Sequence, residues 1–237
     1  MKPSTGQGRH TRDIVLRSAE KAELRRETSG NGFSPLRLAP LTHPFDDPEF
    51  IFELKYDGFR ALAYVDDCGG TRMISRHGNV YKSFPRLTAA IADGLKGRDA
   101  VLDGEIVCFS GDGKPRFFDL LRRRQSPYFC AFDLLRLDGR DVLDHPLVER
   151  KRLLKSVIAP QPCAIVYVDY VEECGTALFE ECCRHDLEGI VAKQKHSRYL
   201  MEGPFRRGSE RTPWAKIRNR CYSQWEGRHE LFRKRRA

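Results

Sequence analysis

The 237-residue chain contains no G-x-x-x-x-G-K-[S/T] segment and no G-x-G-x-x-G opening a helix. A phosphate-bearing ligand, if there is one, is therefore not expected on a P-loop or a dinucleotide fold. There is no apolar run of ~18 residues, so no membrane-spanning helix is expected, and no secretory signal pattern. The eight cysteines include no C-x-x-C pair and follow no regular spacing. Neither a zinc site nor a disulfide framework is suggested, and reduced thiols in a cytosol fit best. Cys182-Cys183-x-His185 falls in a helical segment that points the side chains apart, which disfavours metal there. Regular β-α-β alternation is also missing, which argues against a parallel α/β sheet and for an α+β fold with antiparallel sheets flanked by helices.

What the chain has in excess is positive charge: a formal net charge of +9, with 40% hydrophobic residues to build a core. Such a surface favours a polyanion. Residues 1–33 are polar, basic and rich in Gly and Ser, and read as an arm outside the fold. A domain is expected over residues 34–221, followed by a basic tail over 222–237. Strands are predicted at Phe50–Leu54, Phe59–Val65, Arg72–Arg76, Val101–Val107, Tyr128–Leu135, Ala164–Val171, Glu188–Lys193 and Trp214–Arg218. Helices are predicted over 85–96, Phe117–Arg124, Leu147–Ile158 and Thr176–His185.

The chemistry centres on Glu53-Leu54-Lys55-Tyr56-Asp57-Gly58-Phe59-Arg60. Lys55 ends an apolar strand and Asp57-Gly58 reads as a turn, which puts the lysine at the mouth of a hairpin. A free amine of pKa ~10.4 is protonated at pH 7 and cannot attack. Desolvation or neighbouring cations would make it a nucleophile. Four further charged signatures follow in order: Arg76; Asp103-Gly104-Glu105; Glu188 with Lys193; and Lys216 with Arg218. Each lies on or beside a predicted strand. Alternation places Lys216 and Arg218 on one side, whereas Glu188 and Lys193 share a face only if a bulge intervenes. Cations interleaved with isolated carboxylates suit attack on phosphorus, with the lysine as nucleophile and two carboxylates for a metal or a ribose.

These signatures, in this order over about residues 34–221, resemble the covalent nucleotidyltransferases, and within them the ATP-dependent DNA ligases. The tail residues Tyr222-Ser223-Gln224-x-Glu226-Gly227-Arg228 make the chain most similar to the ligase domains of bacterial end-joining ligases. The resemblance implies a DNA ligase/capping-type catalytic fold, ATP as substrate, and Mg²⁺ or Mn²⁺. It implies that Lys55 attacks the α-phosphate, forming lysyl-AMP and releasing pyrophosphate. Glu53 would read the adenine amino group, Arg60 the ribose side, and Phe132 would stack on the base. Glu105 would bind ribose hydroxyls or metal, and Glu188 the metal. Lys193 and Lys216 would contact the α-phosphate. Arg76 and Arg218 would contact phosphate, Arg76 at a nick. The partner would be nicked or broken duplex DNA, met by a monomer in a bacterial cytoplasm at the nucleoid, with end-joining proteins as possible company.

Two departures qualify the resemblance. Arg218 stands where the family commonly has a second lysine, which keeps charge but changes hydrogen-bond geometry. The family's oligonucleotide-binding barrel has no counterpart among these residues, since 222–237 is too short for five strands. A minimal ligase is the favoured expectation. The alternatives are a nick- or end-binding accessory that relies on a partner for the barrel, and an RNA ligase or capping guanylyltransferase.

Overall fold

The computed structural model describes residues 32–95, 97–158, 164–200 and 212–226. The chain divides into Met1–Ser34 and Pro35–Ala237, and the elements below all belong to the second unit. Residues 1–31 of the expected arm and 227–237 of the expected tail lie outside the described residues.

In chain order the strands are β1 (Ala39–Leu41), β2 (Asp47–Leu54), β3 (Phe59–Val65), β4 (Thr71–Ser75), β5 (Ala100–Val107), β6 (Tyr128–Leu137), β7 (Arg140–Asp141), β8 (Ile165–Tyr167), β9 (Tyr170–Glu173), β10 (Gly189–Gln194) and β11 (Trp214–Arg218). The helices are α1 (Pro85–Leu95), α2 (Phe117–Arg122), α3 (Leu147–Val157) and α4 (Gly175–Arg184). One sheet runs β1-β11-β10-β2-β9 and the other β4-β3-β5-β6-β7, with β8 also on β6. Pairing is antiparallel except for β1 on β11 and β8 on β6. The expected α+β class with antiparallel sheets is what the chain adopts.

The larger core covers the second sheet. Leu87, Ile91 and Leu95 recur every four residues on α1 and bury one face of that helix against Ala61, Ala63, Met73, Leu102 and Phe129. A smaller core joins Phe52, Ile190, Ala192 and Ile217 of the first sheet to Cys182 of α4. All described cysteines are free thiols.

Two expected elements are built differently. The segment around Lys55 is not a hairpin: β2 belongs to the first sheet and β3 to the second. Lys55 N–H donates to the Gly189 carbonyl at 2.9 Å, which carries the β2–β10 pairing one residue further before the chain crosses. Gly58 lies so close to β5 that a Cβ there would fall 2.1 Å from the Ile106 carbonyl oxygen, so glycine permits the crossing. The expected strand Ala164–Val171 also divides between sheets. Its β8 portion pairs with β6, and its β9 portion pairs with β2. These two crossings place the cleft.

Candidate active site

The cleft lies between the sheets and is lined by Glu53 of β2, Lys55 and Tyr56 just after it, Arg60 of β3, Glu105 of β5, Phe132 of β6, Lys193 of β10 and Trp214 of β11. Register explains the convergence. Glu53 pairs with Val191 and Val191 with Lys216, so these side chains share one face of the first sheet. Arg60 pairs with Glu105 in the second. Between β5 and β6, Asp103 faces Asp133 while Gly104 faces Ala131, which leaves Phe132 of β6 as the extra residue of a bulge. A bulge re-aims its side chain, here into the cleft.

At one end, Lys55 Nζ donates to Glu188 Oε2 at 2.6 Å, with side-chain exposures of 18% and 3%. Glu188 immediately precedes β10, whose first residue, Gly189, has a φ of +137° that turns the chain into the strand. Burial pushes the Glu188 carboxyl above its usual range, against the pull of Lys55. Burial also raises Glu105 to about 8, while Lys55 and Arg60 oppose and Glu188 adds to the rise. Burial lowers Lys216, helped by the charges of Arg218 and Lys55. Arg218 is exposed at the end of β11, its guanidinium 4.8 Å from the Trp225 ring centre. Arg76 is exposed in the turn after β4, and its charge reaches Lys216. The buried Glu188 and the half-buried Glu105 offer hard carboxylate oxygens, which suit a divalent cation completed by phosphate and water once it displaces the Glu105 proton, so the residues fit Mg²⁺ or Mn²⁺.

At the other end, the buried Glu53 carboxylate lies between two ammonium groups. Lys151 Nζ donates to Oε1 at 2.6 Å, and Lys193 Nζ is 2.5 Å from Oε2. Lys193 sits 4.0 Å from the Trp214 ring centre and 4.5 Å from that of Phe132, and burial lowers its pKa to about 8. Trp214 Nε1 is buried without a hydrogen-bond partner among the described residues. Arg60 lies 4.5 Å from the Phe132 ring centre and forms a two-pronged pair with Asp103, at 2.6 and 2.5 Å. Burial alone would lower Arg60, but Asp103 outweighs it and the pKa rises. The same carboxylate accepts from Tyr199 Oη at 2.7 Å.

The structure thus brings Lys55, Glu105, Glu188 and Lys216 together, with Arg218 and Arg76 at the rim. It gathers Glu53, Phe132, Lys193 and Arg60 at the second end. Lys193 makes its contacts with Glu53, Phe132 and Trp214 rather than with Glu188. Sequence reasoning did not single out Lys151, Tyr199 or Trp214, and it named Tyr222 in the tail motif without giving it a place at the site. Tyr222 Oη lies 3.1 Å from Asp57 Oδ2 and holds the segment behind Lys55. For Lys151 a signal existed. Leu147, Arg150, Lys151 and Leu154 fall at helical spacing on one buried stripe of α3, so two cations sit where apolar residues are the rule.

Residues 39–218 match the family described as ATP dependent DNA ligase domain. The chain is 32% identical to the SPbeta prophage-derived DNA ligase-like protein LigB of Bacillus subtilis, over 81% of this chain and 69% of that one. It is 34% identical to the multifunctional non-homologous end joining protein LigD of Mycobacterium bovis, over 64% of this chain and 20% of the relative. Among solved structures, a mycobacterial DNA ligase D complexed with ATP and MES superposes with a TM-score of 0.67 at 29% identity, covering 79% of this chain and 60% of that one. The chain therefore spans a fifth of the long end-joining relative and somewhat over half of the solved ligase domain. With the match running from β1 through β11 and including both ends of the cleft, the chain belongs to the ATP-dependent DNA ligase domain family.

Proposed function

We propose that this chain adenylates itself on Lys55 and passes AMP to a DNA 5′-phosphate, as a strand-sealing ligase acting in DNA repair. The observation that carries the reading is the Lys55–Glu188 contact of 2.6 Å, set beside Glu105 and Lys216 where the two sheets meet. The Lys55 nitrogen forms a bond to the α-phosphorus of ATP, the bond to the β-phosphate oxygen breaks, and pyrophosphate leaves. The proton that nitrogen must shed has Glu188 Oε2 as its nearest acceptor, a carboxylate whose proton affinity burial has increased. Lys216 offers charge to the α-phosphate oxygens. A bound divalent cation would neutralise phosphate charge, and Glu105 and Glu188 are the residues to hold it. The cleft's other end takes the base, with Phe132 as its aromatic wall, Arg60 toward the ribose, and Glu53 held by Lys193 to read the purine edge. Transfer of this kind asks the protein mainly for position and charge.

In the second step a DNA 5′-phosphate displaces the lysine from AMP. In the third a 3′-hydroxyl displaces AMP, which seals the strand. Arg76 and Arg218, exposed at the rim, would meet DNA phosphates, and the net charge of +9 favours the duplex as a whole. The test uses protein carrying AMP labelled at phosphorus, chased with a nicked duplex. Label moving to DNA with sealed product supports the ligase. Label that remains on the protein, together with failure to seal a preformed 5′-adenylylated nick, would refute strand sealing.

A further inference from the structure

Lys151 lies outside the charged signatures, yet its side chain is fully buried. Its Nζ donates to Glu53 Oε1 and to the Val168 carbonyl, both at 2.6 Å, and lies 4.6 Å from the Tyr167 ring centre. The lysine comes from α3, which packs on β6 of the second sheet, whereas Glu53 lies one residue before the end of β2 of the first. One ammonium therefore ties the two walls of the cleft together at Glu53. Each Glu53 oxygen faces its own lysine, Lys151 on one side and Lys193 on the other. An ammonium is buried favourably only when it is paired, and here the charged Glu53 carboxylate supplies the pairing.

An ionised carboxylate accepts hydrogen bonds and donates none. A purine with a 6-amino group presents a donor to such a wall, whereas a 6-oxo group presents a second acceptor. We propose that Lys151 is a positioning residue for base selection: with Lys193 it fixes Glu53 as an acceptor-only group, so that the cleft prefers a 6-aminopurine to a 6-oxopurine. This rests on the reading of the cleft as a nucleotide site.

The test measures equilibrium binding of ATP, GTP and purine riboside 5′-triphosphate to the full chain and to K151M, K151Q and E53Q. Wild type should favour ATP over GTP by roughly 100-fold or more, as expected where a mismatched group leaves buried polar atoms unpaired. K151M frees the carboxylate to turn and should cut that ratio about tenfold. Purine riboside triphosphate has no group at C6 and should bind nearly as before. A merely structural role would weaken all three ligands alike. K151Q keeps a donor for the Val168 carbonyl and carries the same expectation if K151M does not fold. An unchanged ATP/GTP ratio in a folded Lys151 variant, with the ratio altered in E53Q, would overturn the role of Lys151 alone. Absence of nucleotide binding by wild type would overturn the nucleotide-site reading and the inference with it.

Discussion

Gly189→Ala should damage both the fold and the chemistry, because one glycine carries the strand pairing and the approach of Glu188 to Lys55. Its φ of +137° is a conformation that alanine enters only under strain of about 1–3 kcal/mol. A Cβ would lie 2.1 Å from the Ile217 carbonyl oxygen and 2.9 Å from Arg218 Cα. Carbon and oxygen normally approach to ~3.3 Å, so β10 and β11 must separate by about 1 Å at this register. Both atoms are backbone and cannot swing aside. The Lys55 N–H to Gly189 carbonyl bond and the Gly189–Arg218 pairing weaken together, each worth about 1 kcal/mol. The sum is about 3–5 kcal/mol, or a fall in Tm of roughly 6–20 °C for a chain this size. Displacing the nucleophile and its proton acceptor by about 1 Å should slow self-adenylation ~100-fold in protein that remains folded. Thermal melts and initial labelling rates below the melt check both. A Tm within about 1 °C of wild type, with an unchanged labelling rate, would refute the proposed coupling of strand register to site geometry.

Other perturbations probe other parts of the cleft. Burial raises Glu105 from an ordinary 4.5 to about 8, so the folded chain holds a proton there that the unfolded chain releases. That contribution to stability is full below about 4.5 and is lost as pH rises through about 8. Tm should therefore fall less steeply between pH 5 and 8.5 in Glu105→Gln than in wild type, and parallel curves would contradict the shift. Asp103→Ala leaves the Arg60 guanidinium and the Tyr199 hydroxyl without their shared acceptor, and loss of one partner of a buried pair costs about 3–5 kcal/mol. Urea unfolding should show it, and a change below about 1 kcal/mol would mean that the network relaxes. Glu188→Ala should raise the concentration of Mg²⁺ or Mn²⁺ needed for half-maximal labelling, and an identical metal titration would remove Glu188 from the metal site.

The strands and helices near the cleft were legible because their apolar runs are long and their breaks carry Gly, Asp or Pro. The path between them was not. Asp57-Gly58 has the local chemistry of a hairpin turn, yet here it carries the chain from one sheet to the other. Nothing within eight residues distinguishes the two, since the choice is made by pairing of β2 with β10 and β3 with β5. Ala164–Val171 reads as one apolar strand for the same reason, although β8 and β9 find partners in different sheets. Most of the expected site residues stood out as charges on or beside apolar strands, where burial demands a partner; Phe132 carries no charge, and Arg76 lies in an exposed turn. Which partner each one takes depends on tertiary structure. Lys193 meets Glu53, and Lys151 reaches Glu53 from a helix about a hundred residues away in sequence.

Covalent labelling of Lys55 is the most direct measurement. The purified chain is incubated with Mg²⁺ and ATP labelled at the α-phosphate, then denatured, beside Lys55→Ala treated in the same way. Wild type should retain label that acid releases as AMP, as expected of a phosphoramidate, and Lys55→Ala should retain none. Label on Lys55→Ala at the wild-type level would place the nucleophile elsewhere and contradict the proposed chemistry at its first step.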